Sequence, residues 1–181
     1  MSKKYLKGFA ELGYRKVLAN ESGTYTLDTA YTEIPGAQSC SPDDNREDFE
    51  IPADDGIWDS GSEWKKSVLT ITIVETELTL LADLTGAAIS NGVVQEGTLD
   101  EAPEIALTFS ALRADGGYRL FCYYACKCTG YKVSHNTKGS NNNAQAYELT
   151  FECLPRRLDR SVRAAKDVDK GASHDWLRSA A

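Results

Sequence analysis

Residues 25–75 read YTLDTAYTEIPGAQSCSPDDNREDFEIPADDGIWDSGSEWKKSVLTITIVE, and the changes of pattern inside this stretch decide the fold class. Strand-like alternation over Thr24 to Thr32 stops at Glu33-Ile-Pro-Gly36. A polar, acidic run follows, ending in Ala53-Asp-Asp-Gly-Ile-Trp58. In Ser67 to Val74, Val68, Thr70, Thr72 and Val74 then fall on one face, with Leu69, Ile71 and Ile73 on the other. That pattern predicts a central strand with both faces covered. Between the strand signals, Ser41-Pro-Asp-Asp-Asn45 has turn chemistry, so Ala37 to Ile51 reads as a protruding hairpin or an irregular loop. Ordering so long a connection costs about 1 to 2 kcal/mol per residue in backbone entropy. Compact domains rarely keep one without a use.

The flanks repeat the strand character. Tyr14 to Ala19 and Thr24 to Thr32 read as strands joined at Glu21-Ser-Gly23, and the first ten residues as an exposed basic arm. Downstream, Thr76 is placed to cap a short helix over Glu77 to Thr85, with Gly86 suited to the left-handed position past its end. Leu78, Leu81 and Ala82 share the helix face expected against the sheet. After a linker, Ala87 to Glu104, strands over Ile105 to Leu112 and Tyr118 to Val133 bracket Arg113-Ala-Asp-Gly-Gly117, a hairpin signal. A second hairpin leads to a strand over Ala144 to Cys153, across a polar tip at 134–143 expected to be mobile and wet. The charged segment after Leu154 lacks strand alternation and reads as a helix or a loosely ordered tail docking on a neighbour. The expected organisation is one β-domain over 1–155, with an N-terminal arm and a long loop at about 36–62, and a charged extension over 156–181.

Composition narrows the function classes. A chain of 181 residues supports one core, burying roughly 70% of the unfolded surface. Its nine tyrosines and frequent Thr and Val favour strands. No run approaches the ~20 consecutive apolar residues that cross a bilayer. The start, Met1 to Lys7, lacks a signal peptide's apolar core, so the expectation is a protein made in a cytoplasm, with no membrane partner. The five cysteines are an odd set without framework spacing and are expected to be reduced. Charge is segregated: net +4 over residues 1–20, −16 over 21–105 and +5 over 106–181. A surface built from the middle of the chain would repel nucleic acid phosphates.

Signals for chemistry are thin. Cys122, Cys126 and Cys128 fall on one strand face and spread over about 20 Å, unlike the turn-forming pairs of structural zinc sites. His135 and His174 are the only histidines, and neither has a nucleophile and base pattern beside it. No nucleophile elbow, phosphate loop or dinucleotide fingerprint is present. The acidic pairs Asp43-Asp44, Glu47-Asp48 and Asp54-Asp55 do not follow the calcium-hand pattern. The reading is a non-enzyme without metal or cofactor.

Order and spacing then carry a resemblance. The pieces are Gly13-Tyr-Arg-Lys-Val-Leu-Ala19, the break at Ile34-Pro-Gly36, Ala53-Asp-Asp-Gly56 before an aromatic, Leu69-Thr-Ile-Thr-Ile73 leading to Leu80-Leu-Ala-Asp-Leu-Thr-Gly86, Ala102 to Phe109, and Tyr147 to Pro155. Over about residues 6–155 the chain resembles the major tail proteins, or tail tube proteins, of long-tailed phages (siphoviruses). The resemblance implies a β-sandwich or barrel with one short flanking helix and a long extended loop. It also implies hexameric rings of identical subunits stacked into a virion tube assembled in the host cytoplasm. Tape measure, tail terminator and distal tail proteins would be its partners, and double-stranded DNA would pass through without specific binding.

On that reading, the segment from Gly36 to Ser62 reaches an adjacent subunit or ring, with Trp58 and Trp64 as anchors and Asp54 and Asp55 at its base. Aromatic anchors commonly dominate interface energy. Packing within their own subunit is the alternative for both tryptophans. Lys3, Lys4 and Lys7 would pair with a neighbour's acidic loops or remain solvated. Competing readings are a contractile-system tube subunit, a tail-terminator ring, and, from another class, a carbohydrate-binding β-sandwich using exposed Trp58, Trp64 and Tyr124.

Overall fold

The computed structural model describes residues 5–74, 77–133, 135 and 145–179. In chain order the elements are β1 (Leu6–Glu21), β2 (Thr24–Leu27), β3 (Thr32–Glu33), β4 (Ala37–Ala53), β5 (Gly56–Ile73), α1 (Leu78–Thr85), β6 (Ala88–Ser90), β7 (Val93–Gln95), β8 (Ile105–Arg113), β9 (Tyr118–Val133), β10 (Tyr147–Leu154), β11 (Arg163–Val168) and α2 (Trp176–Ser179). Among the described residues, nine strands form one sheet in the order β2-β1-β8-β9-β10-β5-β4, with β3 beside β1 and β11 beside β9. Every pairing is antiparallel. The sheet curls until β1 lies near β4 without bonding to it, a barrel-like form that stays open. The fold is thus mainly β, as the sequence predicts.

The core fills the concave side. Leu69, Ile71 and Ile73 of β5 meet Leu149 and Phe151 of β10, Leu107 and Phe109 of β8, and Leu81 and Leu84 of α1. Val68, Thr70 and Thr72, on the other side of β5, are only half-buried, so one face of this interior strand is fully covered rather than both. In α1 it is Leu81, Ala82 and Leu84 that are buried, whereas Leu78 is exposed. Glu77 occupies the N-cap position without a side-chain cap bond, and Thr76 lies outside the described residues. Gly86 ends the helix at φ 80°, where a Cβ would sit 2.1 Å from the Glu101 carbonyl oxygen. Only glycine fits both constraints.

Several expectations are corrected. The supposed arm is strand from Leu6 onward, pairing with β8 from Leu6 opposite Arg113 to Lys16 opposite Ile105. Register shifts at Leu6/Gly8 and Ala10/Gly13 break its alternation, as bulges do, and conceal the strand. Ser41 to Asn45 lies within β4, not in a turn, because an edge strand tolerates Pro42. The long excursion is a hairpin whose turn is Asp54-Asp55, at φ 47° and 65°, a primed two-residue turn. The supposed linker after Gly86 contains the small β6–β7 hairpin, turned at Asn91-Gly92.

A bulge in β9 also divides the cysteines. Ile105 pairs with Cys126 but Leu107 with Tyr123, so one extra residue of β9 reverses its facing. Cys126 and Cys128 join the main core, while Cys122 and Tyr124 pack on the opposite side with Tyr25 and Trp176. Cys126 stands directly across from Cys153 of β10, and the two form a disulfide, correcting the expectation of five reduced thiols. Their 27-residue separation hides a proximity that only register creates. The segment after Leu154 is part of the domain: β11 pairs with the first half of β9, and Leu177 of α2 packs on Leu120 and Val168. The tip at 134–143, apart from His135, lies outside the described residues.

Candidate assembly surfaces

The first surface is the outer part of the β4–β5 hairpin. Ser67 to Ile73 of β5 pair with β10, but residues 45–66 pair only with one another and so project from the sheet. Phe49 and Ile51 share one face of this ribbon, and Phe49 lies over Gly61, where a Cβ would stand 2.6 Å from the ring. Near the tip, Ile57 is 62% and Trp58 76% exposed. The register slips by one residue at Trp58, a bulge of the kind that re-aims a side chain. Between residues 43 and 66, nine carboxylates face three basic side chains. Lys65 pairs with Glu47, and Lys66 with Glu152 at 2.7 Å.

The residues singled out from sequence separate into groups. Asp54 and Asp55 form the tip and not the base. Trp58 is largely exposed, whereas Trp64, across from Arg46, is half-buried. Lys7 is exposed on β1, and Lys3 and Lys4 lie outside the described residues. Tyr124 is 7% exposed, packed edge-on to Tyr25 and beneath the Arg156 guanidinium, so it does not join Trp58 and Trp64 in an exposed aromatic row.

The second surface was not anticipated. Beyond the core, on the concave side of the sheet, β1, β4, β8, β9 and β11 enclose a cup of about 810 Å³. Its wall is aromatic: Phe109 lies 5.3 Å from Phe9, 5.0 Å from Phe121 and 6.2 Å from Tyr123, centroid to centroid. Cys40 and Pro42 of β4 and Ala165 of β11 complete it. At the mouth Arg119 donates to Asp167 at 2.6 Å, and Arg163 pairs with Asp44 at 3.1 Å and donates to the Tyr123 hydroxyl at 3.1 Å. Burial raises the Tyr123 phenol above its ordinary range, opposed by that hydrogen bond and the guanidinium's charge. Burial likewise pushes the Cys40 thiol up to about 12. Five strands far apart in sequence contribute, so no local motif announces the cup.

His174 contacts Glu11 at 2.6 Å and lies edge-on to Tyr118. Its place is in the packing of the C-terminal segment on β1 and β9. Among the described residues, no group of three or more His, Cys, Asp or Glu side chains is placed to hold a metal ion. No helix there is long and apolar enough to cross a membrane.

The architecture is a curled, open antiparallel sheet with one helix packed on its core and a long hairpin projecting from it. No known family model and no curated protein sequence matches the chain. Solved structures share the fold. The chain is similar to the anti-feeding prophage cap, which terminates that particle's tube, at 10% identity and TM-score 0.54, covering 93% of this chain and 95% of that one. It is also similar to the sheath/tube terminator of the extracellular contractile injection system PVC in its extended state, at 14% identity and TM-score 0.52, covering 90% and 98%.

Proposed function

We propose that this chain is a structural subunit of a phage tail or a tail-like particle, assembling head to tail into hexameric rings that stack into a hollow tube. The observation that carries the reading is the projecting hairpin: an ordered, two-stranded arm with apolar side chains at its tip that its own domain leaves uncovered. Exposed apolar surface of this kind marks an interaction site. The edge strand β4 adds unpaired backbone groups that a neighbour's strand would satisfy. A heterologous contact whose rotation closes makes a ring, and a second along the axis makes a filament.

In a long-tailed virion, such a tube conducts double-stranded DNA without holding it, and the chain's acidic middle, residues 21–105, suits a wall that repels phosphate. Tape measure, terminator and distal tail proteins are then its partners. A second reading, a terminator that makes one ring and stops, is supported by the fold shared with a tube-terminating cap and a sheath/tube terminator. Negative-stain electron microscopy of the purified chain across concentration and salt tests both. Hollow tubes are the expected result, and single rings that never stack favour the terminator. Monomers under every condition overturn the ring reading.

A further inference from the structure

We propose that the aromatic cup is the socket for the hairpin tip of a second copy of this chain in the same ring, with Trp58 and Ile57 seated against Phe9 and Phe121. The proposal rests on the ring-forming reading and names the contact that closes the ring.

Both halves are present on each copy, the tip exposed and the cup open, which defines a heterologous contact repeated around a ring. Reach selects the neighbour. Residues 45–53 extend the hairpin about 30 Å beyond the sheet at ~3.3 Å per residue. The hairpin leaves the sheet at the cup's own rim, where Asp44 is paired with Arg163, so its tip stands far from the cup beneath it. A domain of about 150 residues has a radius of gyration near 15 Å, so an arm of about two such radii extends into the space of a touching copy. Cup and hairpin root border one another, and the ring-forming reading places the fitting copy beside the first. The cup's volume of about 810 Å³ accommodates an indole and an adjacent aliphatic side chain.

The test is cross-linking between two populations of the full chain, one carrying Trp58→Cys and the other Ala165→Cys, both with Cys40→Ser. They are mixed, oxidised mildly, and read by non-reducing electrophoresis beside negative-stain images. A reductant-sensitive dimer in the mixture, absent from either population alone and from a Leu99→Cys control, is expected. Trp58→Ala should raise the concentration needed for rings at least tenfold. Rings without that cross-link overturn the socket and leave the ring reading standing. A cross-linked dimer while the parent chain forms no rings keeps the socket and removes the ring, and neither dimer from the mixture nor rings from the parent chain removes both.

Discussion

Cys40 and Cys122 are held where burial pushes each thiol from its ordinary 9.0 up to about 12. For an acid whose folded value is raised, the folded state keeps a proton that the unfolded state releases. Its stabilising contribution is therefore complete below pH 9 and is lost as pH climbs toward 12. Burial raises Tyr14 and Tyr25 as well, which adds to the loss above pH 10. The melting temperature should be level from pH 7 to 8.5 and fall steeply above pH 9, and Cys40→Ser should flatten the first part of that fall. A profile unchanged by Cys40→Ser would exclude this thiol as a source. Residues also divide by what they hold together. Phe151, fully buried between β5 and β9, should cost about 3–5 kcal/mol on replacement by Ala in urea unfolding. The exposed Trp58 should cost no more than about 0.5 kcal/mol on the same change. If Trp58→Ala destabilises the monomer as Phe151→Ala does, the indole packs in its own chain.

At the scale of elements, the hairpin separates into a root and an arm. Ser41 to Asp44 pair with Ser67 to Thr70 inside the sheet, and residues beyond Asn45 and Lys66 bond only to each other. Replacing Arg46 to Lys65 by Asn-Gly, a two-residue turn joining a pair already in register, should leave the melting temperature within a few degrees of the parent while abolishing rings. Normal rings from that variant would remove the arm from the assembly contact. The same element shows what sequence makes legible. Local chemistry announced β8 and β9, through Asp115-Gly-Gly117, and the inner part of β5, through its Leu-Thr-Ile-Thr-Ile run. It did not announce β11, whose Arg163-Ala-Ala-Lys-Asp-Val168 lacks alternation because only Ala164 and Val168 are covered and Lys166 between them is exposed. Nor did it announce the Cys126–Cys153 bond or the cup, since both arise from register and curl across distant strands. The tip residues Asp54, Asp55 and Trp58 were legible as unusual, but the bulges that place them were not.

At the scale of the whole molecule, arm and socket on one chain make assembly directional, and this has a consequence that a symmetric contact lacks. The shortened variant loses its arm but keeps an intact cup, so it accepts a neighbour's tip and offers none in return. It therefore enters a growing ring and leaves one joint unmade. If a ring needs n unbroken joints, the fraction of intact rings at a doping fraction f falls as (1 − f) raised to the power n, not in proportion to f. With six subunits, as the tube reading holds, equal amounts of shortened and full-length chain should leave about one ring in sixty complete. Counting rings by negative stain across a doping series measures n directly, because the logarithm of ring yield against log(1 − f) has slope n. A slope of one would mean that the shortened chain is excluded and that the arm is needed before the cup can bind, which is incompatible with independent arm and socket surfaces.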